Sequence, residues 1–510
     1  MDQNPHDPNT SRAMLTSVRA RYALAALVGA LAGLGQAPWD IWAATIAALF
    51  VLLALVTRAE SSRQIFATQW VFALGYFGVA LSWLVEPFLV DIARHGWMAP
   101  FALFFMAGGL GLFWGASALI ARRVAGEKAF PFAWAGALAG AELARGYVLT
   151  GFPWALIGHV WIDTPVLAFA PLLGPNGMTL ATLFLVAALF SGLRQRRRST
   201  WLVAPTLFLV LVGLGTLIRP NALPIDPEAP VVRLVQPNAP QDEKWDPDHV
   251  LTFFRRQLAF TASEQGPPPD LVIWPETAIP WRLSDADQAL QSISSAAGGA
   301  PVAVGVQRRD QGIAHNSMVV TNETGGVGHL YDKHHLVPFG EFIPLGGLAR
   351  LIGLQSFAAQ DGFGFTSGPG ARVLDLGPLG HVLPLICYEA IFPQDLRAAP
   401  RRPDWLMQIT NDAWFGQVSG PFQHLAQARL RAAEQGLPMM RVGNTGVSAV
   451  IDSEGRVLAE IPLGEAGYLD HALPPARDGT LYARFGDGPI AVLILLILGV
   501  SGTARYRKSH

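Results

Sequence analysis

Cysteine is almost missing from this sequence: there is one thiol, Cys387, in 510 residues. A lone thiol excludes an internal disulfide framework, and no Cys/His spacing matches a zinc site. Charge is scarce too, at 15% of residues with a formal net charge of −1. No basic, aromatic-laced stretch occurs, so nucleic-acid binding has no support. The scarcity is uneven: charges are rare between residues 20 and 220 and ordinary between 225 and 485.

What fills the charge-poor part is long apolar runs. A bilayer core asks for about 20 mostly apolar residues per helix. The pattern predicts eight spans, near 20–36, 40–57, 66–85, 98–121, 129–148, 174–193, 200–218 and 486–503. The fifth carries Glu142 and Arg145, and such a pair is expected to be mutually paired or near an interface rather than facing lipid. Basic residues cluster in alternate loops: Arg12, Arg19 and Arg21; Arg58 and Arg63; Arg122, Arg123 and Lys128; Arg194, Arg196, Arg197 and Arg198; and Arg505, Arg507 and Lys508. By the positive-inside rule these loops and both termini are cytoplasmic. The first span lacks a convincing cleavage site and is expected to be retained. The expected organisation is a cytoplasmic tail (1–19), a seven-helix transmembrane domain (20–220), an extracytoplasmic catalytic domain (225–485), an eighth transmembrane helix (486–503) and a basic cytoplasmic tail (504–510).

Within 225–485 the period changes. Val231–Gln236, 271–274, 302–306, 317–321, 381–386, 405–409 and 447–452 predict strands. Residues 248–263, 285–297 and 421–436 predict helices, the first with Asp248 as its cap. Alternating strands and helices predict stacked α/β layers. Between them, 334–380 is a long Gly-, Pro- and Phe-rich stretch, and loops of that length are usually functional or disordered. Its apolar part, 345–357, suggests a lid that touches lipid.

Three residues, each at the end of an apolar run, follow one another along this region: Glu276 in Trp274-Pro-Glu276-Thr, Lys333 in Lys333-His-His-Leu-Val-Pro-Phe-Gly-Glu341, and Cys387 in Cys387-Tyr-Glu389. A catalytic thiol needs a base or cation to become thiolate. Glu276 suits the base that takes the thiol proton and returns it to a leaving group. Lys333 can lower the thiol pKa and, with the backbone N–H after the nucleophile, hold an oxyanion. Glu341 is placed to orient Lys333 or assist the proton transfers, and Glu389 to support the pocket. Taken one at a time, the cysteine reads more readily as a small buried hydrophobe, the glutamate as a turn residue and the lysine as a solvated one. His334-His335 lacks a second ligand pair, so neither a metal nor another cofactor is expected.

Taken together, those motifs and Asn411-Asp-Ala-Trp-Phe-Gly416 resemble the carbon–nitrogen hydrolase (nitrilase) superfamily. Seven helices before such a domain and one after it resemble its membrane-anchored branch, the apolipoprotein N-acyltransferases of the bacterial inner membrane. Gly151-Phe-Pro-Trp154, Val235-Gln-Pro-Asn238 and Lys244-Trp245 fit the same pattern. The resemblance implies a multi-pass α-helical membrane domain plus an α/β nitrilase-like αββα sandwich. It implies that Glu276, Lys333 and Cys387 are catalytic, with Trp245, Glu341, Tyr388, Glu389, Trp414 and Trp154 binding substrate or supporting the pocket. The implied reaction moves an acyl chain from a phospholipid, typically the sn-1 chain of phosphatidylethanolamine, through a cysteine thioester. The acceptor is the α-amine of diacylglyceryl-cysteine on an apolipoprotein, and the catalytic domain is periplasmic. Two rivals stay open at this point: a membrane-tethered amide or nitrile hydrolase using the same trio with water, and a transporter or scaffold that binds lipoproteins without chemistry.

Overall fold

The computed structural model describes residues 18–194, 200–344 and 364–509. The expected apolar lid at 345–357 and most of the N-terminal tail lie outside the described residues. The chain divides into two compact units, one running to Arg219 and resuming at Asp487, the other spanning Pro220–Gly486.

The first unit is helical: α1 (Val18–Gly33), α2 (Trp42–Thr57), α3 (Ser62–Ala80), α4 (Ala99–Val124), α5 (Phe130–Arg145), α6 (Ala170–Arg194) and α7 (Thr200–Ile218), with a C-terminal helix, Gly488–Ser509. Small residues let the helices touch: a Cβ at Gly29 of α1 would collide with the Phe72 carbonyl oxygen of α3. Helix α6 breaks at Gly174, whose φ of 58° only glycine adopts cheaply, and Pro175 begins the next helical turn.

The eight expected spans are met in part. Among the described residues, Ile92–Val124 and Pro165–Arg194 are long and apolar enough to cross a membrane. Ser62–Ala80 with Ser82–Leu89 would make a third, bent by 69°. Trp42–Thr57, Leu209–Ile218 and Gly488–Thr503 are apolar but shorter. For α2 the reason is geometric. A 16-residue helix such as α2 rises only about 24 Å, less than the roughly 30 Å of a hydrocarbon core. Apolar windows in the sequence run on through turns that the backbone does not keep helical. The charged pair of α5 is mutually paired and buried, Arg145 Nε lying 2.6 Å from Glu142 Oε1.

The second unit contains two six-stranded sheets, ordered β12-β1-β2-β3-β4-β5 and β11-β10-β9-β8-β7-β6. The strands are β1 (Val231–Gln236), β2 (Leu271–Ile273), β3 (Val302–Asp310), β4 (Ile313–Thr321), β5 (Val327–Asp332), β6 (Leu374–Asp375), β7 (His381–Ile386), β8 (Trp405–Thr410), β9 (Met439–Gly443), β10 (Ser448–Ile451), β11 (Val457–Ile461) and β12 (Gly467–Ala472). β1, β2 and β3 are mutually parallel, as are β7, β8 and β9. Alternation along each strand builds three cores between four layers. Leu271 and Ile273 of β2 share one core with Val382 and Ile386 of β7 and with Met407 and Ile409 of β8. The intervening Val272 packs with Leu290 and Ile293 of helix α9 (Asp287–Ala296) and Phe254 of α8 (Val250–Thr261). Leu383, Leu385 and Leu406 pack under Ala428 and Ala432 of α10 (Gly420–Gln435). Two sheets face to face with helices outside form the αββα sandwich. Asp248 does not cap α8: the N-cap is His249, without a side-chain hydrogen bond.

Candidate functional site

Each residue of the Glu–Lys–Cys trio sits just past the C-terminal end of a strand, the usual place for ligands on parallel sheets. β2 ends at Ile273, and the buried Trp274 anchors the following turn by donating Nε1–H to Thr261 Oγ1 at 2.9 Å. Two residues on, Glu276 is buried. Its Oε1 accepts from Asn316 Nδ2 at 2.7 Å and from Lys333 Nζ at 3.4 Å; its Oε2 accepts from Asn411 N–H at 2.8 Å. Lys333 follows β5 and is held to β4 by its own N–H, which donates to Asn316 O at 2.9 Å. Its ammonium donates to Glu341 Oε1 at 2.8 Å, and Glu341 is fixed in turn by Asn316 Nδ2 at 2.9 Å and Val337 N–H at 2.8 Å. Burial works to lower the Lys333 pKa, but Glu341, Glu276 and Cys387 outweigh it and hold the ammonium above its ordinary value.

Cys387 directly follows β7 in a left-handed conformation, φ 52°, and is buried. In a non-glycine residue that conformation costs on the order of 1–3 kcal/mol. It breaks the strand's alternation, so Ile386 and Cys387 both join the core between the sheets. Burial and then Glu276 push the thiol pKa well above its ordinary value, while Lys333 and the Thr410 hydroxyl pull it down. Lys333 therefore acts in the expected direction and is outweighed. The resting sulfur is a thiol, and its proton must leave as the reaction begins. Glu276 is the carboxylate whose charge acts most strongly on it.

Glu389 is fully buried and ties the cysteine turn to the lysine loop. It accepts from Ile386 N–H and His334 N–H, each at 2.7 Å, and from Tyr331 Oη–H at 2.9 Å, and pairs with His334 Nδ1 at 2.6 Å. Burial works to raise its pKa, but His334 and these backbone donors hold it below the usual carboxylate range. Tyr388 is buried edge-on against Phe392 at 4.9 Å and His335 at 5.7 Å. Trp245 is half-buried beneath the Lys244 ammonium at 5.2 Å, and Lys244 Nζ donates to Glu276 O at 3.2 Å. Burial pulls Lys244 down to about 8, with Glu276 opposing. Trp414 is half-buried in the turn after β8. Trp154 belongs to the first unit, where it packs on Trp83 at 4.6 Å.

Several participants are invisible as sequence motifs. Asn316, in Ala314-His-Asn316-Ser, bridges both carboxylates, yet nothing in its spacing points to chemistry. Gln408 and His424 reach the Cys387 carbonyl oxygen at 3.3 and 3.2 Å from the helix-covered side of the second sheet. Among the described residues, no group of three or more His, Cys, Asp or Glu could hold a metal ion.

Both units are similar to known protein families. Residues 28–189 match the family model for the apolipoprotein N-acyltransferase N-terminal domain, and residues 232–480 match that for carbon-nitrogen hydrolase. Apolipoprotein N-acyltransferase of Caulobacter vibrioides is 38% identical over 95% of both chains, and that of Rhodopseudomonas palustris 36% over 94% of both. Among solved structures, an amidase from Nesterenkonia sp. is 20% identical with a TM-score of 0.39, covering 53% of this chain and 98% of its own. With relatives this similar along nearly its full length, the chain belongs to the apolipoprotein N-acyltransferase family.

Proposed function

We propose that the chain transfers a fatty acyl group from a membrane phospholipid, through a thioester on Cys387, to the N-terminal amine of diacylglyceryl-cysteine on an apolipoprotein. That it is an acyltransferase follows from its family. The donor, intermediate and residue roles are the proposal, and the observation carrying it is the buried juncture of Glu276, Lys333 and the one thiol.

The chemistry runs in two halves. Glu276 takes the Cys387 proton as Sγ attacks the ester carbonyl, and the new oxyanion is met by Lys333 Nζ and the backbone N–H of Tyr388. Collapse breaks the C–O bond, and the lysophospholipid oxygen leaves with the proton from Glu276. In the second half the acceptor amine attacks the thioester and gives its proton to Glu276. The C–S bond breaks, and the thiolate recovers the proton. Glu341 keeps the ammonium in place, Asn316 holds both carboxylates, and Trp245, Tyr388, Glu389 and Trp414 shape the pocket.

We place this site at the periplasmic face of the bacterial inner membrane, held there by the apolar helices, with both termini cytoplasmic. Confinement to the bilayer surface raises the encounter rate of two lipid-anchored substrates. Phosphatidylethanolamine is the proposed donor. The test is the intact mass of protein extracted from membranes. An adduct of one acyl chain, removed by hydroxylamine and missing in Cys387→Ala, is expected. Phospholipid turned over to free fatty acid at a rate unaffected by diacylated lipopeptide would instead establish a hydrolase.

A further inference from the structure

Resting on that acyl-transfer reading, we propose that Gln408 and His424, backed by Asp412 and Arg441, are positioning residues that aim the Tyr388 backbone N–H at the oxyanion. The argument begins with the strain at Cys387. A non-glycine residue at φ 52° keeps that conformation only where its surroundings over-determine it. Its amide side is pinned by Glu389, which accepts from Ile386 N–H at 2.7 Å. Its carbonyl side is pinned elsewhere: Gln408 Nε2 donates to Cys387 O at 3.3 Å, and His424 Nε2 orients that amide from 3.0 Å.

These two are on the outer face of the second sheet. Met407 and Ile409 point into the core between the sheets, so Gln408 between them points the other way, toward His424 on α10. The C=O and N–H of a trans peptide unit point in opposite directions. A Cys387 carbonyl drawn outward beneath α10 therefore sends the Tyr388 N–H inward, toward the side where Lys333 and Glu276 lie. The relay thus fixes the one oxyanion donor that the backbone supplies.

Its hydrogens are consistent. Asp412 Oδ1 faces His424 Nδ1 at 2.8 Å and Thr410 Oγ1 at 2.8 Å, while Oδ2 meets Arg441 Nη2 at 2.5 Å. Asp412 is an ion held below its usual range: burial opposes this, and Arg441 and His424 overcome it. Burial, aided by Arg441, keeps the His424 imidazole below its ordinary pKa against the pull of Asp412. Neutral His424 donates from Nδ1 to the carboxylate and presents its Nε2 lone pair to Gln408 Nε2 at 3.0 Å. The second hydrogen of the Gln408 amide then serves the Cys387 carbonyl.

The experiment compares two reactions of the same sulfur in the purified full chain. Single-turnover acylation by a p-nitrophenyl ester builds an oxyanion, whereas alkylation by iodoacetamide builds none. Gln408→Met keeps the side-chain volume and removes both bonds. It is expected to slow acylation by about 10²-fold, in the range found when one oxyanion donor is lost, with alkylation unchanged within about threefold. Should Gln408→Met melt early, His424→Gln carries the same ratio. Equal acylation in variant and wild type, or a parallel fall in both reactions, overturns the relay alone. A wild-type enzyme that alkylates but does not acylate overturns the acyl-transfer reading and the relay with it.

Discussion

Two of the buried carboxylate–cation clusters, one in each unit, are built on opposite plans. In the helical unit, all five guanidinium hydrogens of Arg145 are used. Nε and Nη2 donate to Glu142 at 2.6 and 3.0 Å, and the others go to the carbonyls of Phe152, Trp154 and Ala155 at 2.6, 2.8 and 3.0 Å. Glu142 also accepts from Trp114 Nε1 at 2.7 Å and Ile157 N–H at 3.2 Å. In the sandwich unit, the hydrogen bonds of Lys333 to Glu276 and Glu341 use two of its three hydrogens, and its charge is felt by a thiol. Buried charge with every donor spent holds a loop in place. Buried charge with capacity left can meet a substrate.

The most damaging way to break this comparison is to disarm the second cluster without moving it. Glu276→Gln keeps the shape and removes the base. The acyl-enzyme is expected to form about 10² to 10⁴ times more slowly, the usual worth of general base catalysis. Rapid-quench measurement of acylation reads this directly, and a rate within threefold of wild type would remove Glu276 from the mechanism. The melting temperature should fall only modestly, because the amide oxygen can still accept from Asn316 or from Asn411 while the amide nitrogen faces the other donor.

Arg145→Leu asks the converse question of the first cluster. Removing one partner of a buried pair typically costs about 3–5 kcal/mol, here with three carbonyls orphaned as well. Thermal unfolding in detergent should show a large drop, and the double variant Glu142→Gln/Arg145→Leu should recover part of it. A variant as stable as wild type would mean the saturated cluster is not what organises the segment around Trp154.

How much of this was legible in the chain differs between the two units for a related reason. Strands such as Val231–Gln236 and His381–Ile386 announce themselves, because β-branched and apolar residues crowd a short run bounded by turn formers. β5 and β9 do not, although Lys333 follows one and Arg441 lies on the other. Val327-Gly-His-Leu-Tyr-Asp332 has a glycine and a weak alternation, and Met439-Met-Arg-Val-Gly443 buries an arginine that composition assigns to the surface. Glu276, Lys333 and Cys387 could be singled out because each ends an apolar run. Asn316, Gln408 and His424 could not, since their importance comes from register and from α10 packing on β8. In the helical unit, hydropathy finds apolar segments but is blind to where the backbone bends, as at Gly174.

The finest test concerns the seam between the cysteine turn and the lysine loop. His334 Nδ1 lies 2.6 Å from Glu389 and Nε2 lies 3.6 Å from Asp395, with Tyr331 Oη 2.8 Å from Nδ1. Burial works to lower the imidazole pKa, but the two carboxylates outweigh it and raise it above its ordinary value. A raised folded-state pKa means the folded chain binds more protons than the unfolded one, from the unfolded value of about 6.5 upward. The stability it contributes is fully present below that value and is lost as pH rises through the folded pKa. Melting temperature should therefore decline with pH in that window, and His334→Gln should flatten the decline while leaving the Glu389 bonds to Ile386 and Tyr331 in place. An unchanged slope would mean that Glu389 is held by its backbone donors alone, making this seam as self-sufficient as the Arg145 cluster.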